Sequence, residues 1–104
     1  MSEKKNQKTL NIEIPAEIAR GVYSNLAIIS HSQSEFVLDF VQVLPGTPKA
    51  EVRSRIIMTP QHAKRLLKAL GDNITKYENN HGEVHLAEQE IQLPPNILGP
   101  TGIA

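Results

Sequence analysis

Cysteine is missing from all 104 residues of this chain. That excludes disulfide bonds, thiolate zinc sites and a thiol nucleophile, and it fits a reducing compartment. Net charge is missing as well: eleven Lys and Arg balance eleven Asp and Glu. No overall field therefore recruits nucleic acid or a membrane surface. Aromatic residues are scarce, with only Tyr23, Phe36, Phe40 and Tyr77, which leaves little for base stacking. No apolar run approaches the ~20 residues needed to span a bilayer. Met1 to Lys8 is polar and lacks the apolar stretch of a secretory signal. Nucleophile elbows, phosphate-cradling glycine loops and dinucleotide fingerprints are all absent. These absences predict a soluble cytoplasmic protein that is not an enzyme and uses no cofactor.

The histidines add no chemistry to that list. Ser30, Ser32 and Ser34 flank His31, but catalytic partners meet through the fold rather than along the chain, and turn formation accounts for these residues. His81 and His85 have the i, i+4 spacing of a helical metal clamp, yet Gly82 stands between them and no third ligand is fixed by spacing. No metal site is expected.

The length allows one domain. Residues 1–9 carry no periodicity and read as a disordered leader. Residues 10–82 hold the domain, and 83–104, with three prolines and two glycines, read as an extended, mobile tail. Leu10, Ile12 and Ile14 alternate with polar residues as in a short strand, and Ala16–Arg20 is long enough for one helical turn before Gly21. Three longer strand patterns follow at Val22–Ser30, Glu35–Leu44 and Ala50–Met58. Pairing Leu44 with Ala50 puts Phe40 opposite Ser54, Leu38 opposite Ile56 and Phe36 opposite Met58. The other face then carries an Asp39–Arg55 pair. Pairing Ile28 with Leu38 sets Leu26 beside Phe40 and Ile29 beside Val37. The result is an antiparallel meander with one core face.

Thr59-Pro60 predicts a helix start, with Thr59 as N-cap and Pro60 at the first helical position. Ala63, Leu66, Leu67, Leu70, Ile74 and Tyr77 recur at helical spacing as one apolar stripe. Gly71 interrupts this pattern at a cost of about 1 kcal/mol relative to Ala. Asn79-Asn80-His81-Gly82 predicts the stop. The fold class is therefore α+β: a three- to four-stranded antiparallel meander followed by one long helix packed on one sheet face.

Two surfaces are candidates for binding. The sheet face away from the helix is predicted to carry Tyr23, Asn25, Ile29, Val37, Val41, Val43, Arg53 and Arg55, a mixture too apolar for a solvated face. A protein partner or a second copy is the expected occupant, and a homodimer is the simplest solution. The other candidate is basic. Lys64, Arg65 and Lys68 lie on the helix away from its stripe, and Lys49 is in the Pro45–Lys49 loop. They offer an alternative, nucleic-acid contact.

Two stretches carry a resemblance. GVYSNLAIISHSQSEFVLDFVQVLPG and SRIIMTPQHAKRLLKALGDNITKYE, with Tyr23-Ser24-Asn25 and Thr59-Pro60-Gln61-His62-Ala63 as signature pieces, resemble a family of small Bacteroides-like bacterial proteins catalogued as a domain of unknown function. The resemblance implies the same fold over about 12–82 and an accessory role in a larger complex, with the transcription machinery as a candidate setting. The strand-strand-strand-helix order is also similar in architecture to SecB-like export chaperones, which implies a further alternative, a chaperone for extended clients.

Overall fold

The computed structural model describes residues 9–87 and 101–104. Its elements are a short helix α1 (Ala16–Ala19), strands β1 (Leu26–His31), β2 (Phe36–Gln42) and β3 (Glu51–Met58), the long helix α2 (Pro60–His81), and strand β4 (Thr101–Ile103). The four strands form one antiparallel sheet in the order β3-β2-β1-β4. The α+β class holds, with a meander of three strands leading into one long helix.

The helix ends follow from local chemistry. The Thr59 hydroxyl accepts the His62 N–H at 3.1 Å, and Pro60 occupies the first turn, where its missing N–H costs nothing. Gly82 ends the helix at φ 90°, a conformation that disfavours any other residue, and its N–H donates to the Glu78 carbonyl. Gly71 does not break the helix, which runs through it.

Half of the expected register is present. Phe36 pairs with Met58, Leu38 with Ile56, Asp39 with Arg55 and Phe40 with Ser54. Beyond Phe40 the ladder slips: Val41 pairs with Val52 and Gln42 with Glu51. Arg53 is the extra residue of a β-bulge, so Leu44 and Ala50 never pair.

The β1–β2 hairpin is displaced by one residue from the expected pairing. Ile28 faces Asp39, Ile29 faces Leu38 and Leu26 faces Val41. The cause is the turn. Ser32 N–H donates to the Glu35 carbonyl at 2.9 Å and Ser34 N–H to the Ser32 hydroxyl at 3.3 Å. These bonds close a four-residue loop, Ser32–Glu35, where the expected pairing needs three. A one-residue slip reverses every side chain of the strand. Ala27 and Ile29 therefore face the helix, and Leu26 and Ile28 face away.

Ser24 and Asn25 lock this register at the other end of the hairpin. Asn25 N–H donates to the Val41 carbonyl at 3.1 Å. Its side chain accepts the Val43 N–H at 2.8 Å and donates to the Val43 carbonyl at 2.9 Å, prolonging the ladder beyond β1. Asn25→Ala should lower stability by about 1 kcal/mol, the net value of such bonds at a solvated site. Urea unfolding midpoints of the two proteins check this.

Two further expectations change. Leu10–Ile14 is not a strand, and its three apolar side chains are exposed. The segment 83–104 does not stay apart from the domain, because Thr101–Ile103 adds to the sheet edge. Ile103 pairs with Ile28, and Ala27 and Ala104 exchange two backbone hydrogen bonds at 2.6 and 2.7 Å. The rest of the expected mobile tail, 88–100, and the leader through residue 8 lie outside the described residues.

Burial is sparse. Among the described residues the buried hydrophobic side chains are Leu26, Val41 and Met58, and no residue of α2 is buried. The amino-terminal half of α2 lies over the helix-side sheet face, where Ala63, Leu66, Leu67 and Leu70 meet Ile29, Phe36, Leu38 and Met58 across an apolar groove of about 320 Å³. The groove is open, and Leu67 remains 70% exposed.

Candidate interaction surface

The surface begins with the sheet, which is apolar on both faces. On the side away from α2, Val37 pairs with Ile57, Val41 with Val52, and Ile28 with Ile103. The charges on this face neutralise each other. Arg55 donates to Asp39 through Nε at 2.6 Å and through a second nitrogen at 2.9 Å. This bidentate bond, and secondly the carboxylate's charge, raise the Arg55 pKa above its ordinary value. Asp39 is the more enclosed partner, with its side chain 13% exposed. Arg53, at the bulge, pairs with Glu51 at 2.9 Å in the open. Truncating Glu51 should leave the unfolding midpoint unchanged, because exposed pairs contribute little. Truncating Asp39 should lower the midpoint.

The eight residues expected to form one interface are not gathered on one face. Ile29 lines the groove under α2, on the opposite side of the sheet from Val37 and Arg55, because of the β1 slip. Val41 is 3% exposed and belongs to the core. Asn25 spends its amide on Val43. Tyr23 and Val43 lie just outside the strands and are exposed, Arg53 stands in the bulge, and Val37, Val41 and Arg55 hold the expected face, Val41 buried there.

The basic residues are all exposed. Arg65 and Lys68 lie on α2 away from the stripe, Lys64 stands on the stripe's flank, and Lys49 lies in the β2–β3 loop. No cluster of three or more potential metal ligands occurs among the described residues, and no described helix is long and apolar enough to cross a membrane.

The larger unfilled surface is the helix stripe itself. Leu66, Leu67, Leu70, Ile74 and Tyr77 are all exposed. The first three rim the groove, whereas Ile74 and Tyr77 continue past it along the carboxy-terminal half of the helix. The 3.6-residue period identified this stripe but assigned it to the core.

The family described as "Protein of unknown function (DUF3467)" matches residues 1–86. The chain belongs to the DUF3467 family. The matched span includes β1, β2, β3 and α2, with the groove and the stripe, and stops before β4. No curated protein and no solved structure matches the chain, so the likeness to SecB gains no support.

Proposed function

We propose that this DUF3467 chain is a non-enzymatic protein-interaction module that acts as a homodimer, an accessory component of a larger cytoplasmic complex. One observation carries this reading: the apolar stripe of α2 is exposed from Leu66 to Tyr77, in a chain with three buried hydrophobic side chains among its described residues. Contiguous exposed apolar surface of this kind marks an interface. Sedimentation velocity across a concentration series tests it. The expected mass is twice 11.5 kDa. A species that stays at 11.5 kDa at high concentration, with no protein captured from its native lysate, would overturn the reading. A salt titration of binding to duplex DNA tests the nucleic-acid alternative. Affinity that falls steeply with salt would favour Lys49, Lys64, Arg65 and Lys68 as the working surface.

A further inference from the structure

We infer that the second copy docks helix to helix: two α2 helices pack antiparallel about a two-fold axis at Gly71. This rests on the self-association proposed above and specifies its geometry.

Two observations lead to it. The first is that the surface is complementary to itself. The amino-terminal half of the stripe borders an open apolar groove against the sheet, and the carboxy-terminal half, Ile74 and Tyr77, extends beyond that groove uncovered. Antiparallel pairing brings Ile74 of each copy to Leu67 of the other, at the groove's rim.

The second observation is charge. α2 is basic at its start, with Lys64, Arg65 and Lys68, and acidic toward its end, with Asp72 and Glu78 against Lys76. Lys64, Gly71 and Glu78 follow at intervals of seven residues. At about 100° per residue they lie on one flank of the stripe. A two-fold axis through Gly71 turns that flank onto itself. Lys64 of each copy then stands across from Glu78 of the other, about 10 Å along the helix on either side of the axis. Glu78 is already oriented, because one carboxylate oxygen accepts the Val84 N–H at 2.9 Å. The centre of the pair is the residue without a side chain. A Cβ at Gly71 meets nothing within 4 Å in the single chain, so nothing inside the monomer requires glycine there. A close helix crossing does require it.

The test uses the full chain. Lys64→Glu and Glu78→Lys are made singly and together, and dimer dissociation is measured by sedimentation equilibrium, with circular dichroism confirming that each variant is folded. Each single change should weaken the dimer about tenfold, because each replaces two attractive contacts with two repulsive ones. The double variant should return to within about threefold of the parent. In parallel, Lys68→Cys, one turn from the axis, and Ile57→Cys each supply the only thiol in an otherwise cysteine-free chain for a short bis-maleimide. The expected result is covalent dimer through position 68 and little through 57, on the far sheet face. A dimer that cross-links through 57 only, and ignores the charge exchange, would overturn the helix pairing while leaving self-association intact. A chain that is monomeric at every concentration would overturn both.

Discussion

Val41→Asp should unfold this chain instead of merely dissociating it. Val41 is the most enclosed of the buried hydrophobic side chains among the described residues, at 3% exposure, and it sits in the central strand between Leu26 of β1 and Val52 of β3. A carboxylate there has no compensating cation. Arg55, on the same face, already makes two bonds to Asp39, and Arg53 is paired with Glu51. Leaving a charge buried and unpaired costs ~3–5 kcal/mol. Small domains hold ~5–15 kcal/mol in total, and one with this little burial belongs near the lower end. The variant should therefore lose both its helical and its strand circular dichroism at 25 °C. Retention of a folded monomer would mean that Val41 is open to solvent, as expected of the sheet face away from the helix.

Leu67→Ala should divide stability from association. A buried leucine truncated to alanine costs ~2–5 kcal/mol of folding stability, and the sequence alone points to that outcome, since Leu67 lies mid-stripe among Ala63, Leu70 and Ile74. In the folded chain, however, Leu67 is 70% exposed. Little area returns to water on truncation, so the isolated monomer should lose less than about 1 kcal/mol. The dimer has two such side chains at the centre of its contact, and the expected loss is about 100-fold in dissociation constant, or ~2.7 kcal/mol. Chemical unfolding at two protein concentrations separates the effects. For the parent, the midpoint should rise with concentration, as mass action requires when only the folded state associates. For the variant it should not. If the midpoint falls by several kcal/mol and does so equally at both concentrations, Leu67 belongs to the monomer's own core.

How much of this was legible beforehand depends on the range of the interaction. The ends of α2 rest on contacts within a few residues. Thr59 reaches His62, and Gly82 adopts a backbone angle that side chains disfavour. Such chemistry is written in the sequence and was read from it. The order of the meander and the Asp39–Arg55 pair followed as well, because alternation along β2 and β3 leaves few ways to match apolar with apolar and acid with base. The β1 register was not legible. It turns on whether the Ser32–Ser34 contact closes a loop of three residues or four, a difference worth about one weak hydrogen bond that then reverses a whole strand. The bulge at Arg53 is equally cheap locally, and equally decisive for which residues share a face.

Strand β4 shows the limit most clearly. Thr101–Ile103 has too few residues for any periodicity, and its place is set by backbone bonds to Ala27 and Ile28, more than seventy positions earlier in the chain. The sequence by itself determined that this chain makes a meander and a long amphipathic helix with defined ends, because hydrophobic period, capping and turn chemistry are local properties. Only the tertiary structure decided that the helix stripe stays open. A 3.6-residue period says which face of a helix avoids water. What covers that face depends on how far the sheet extends beneath it, and here the sheet extends under only the first half.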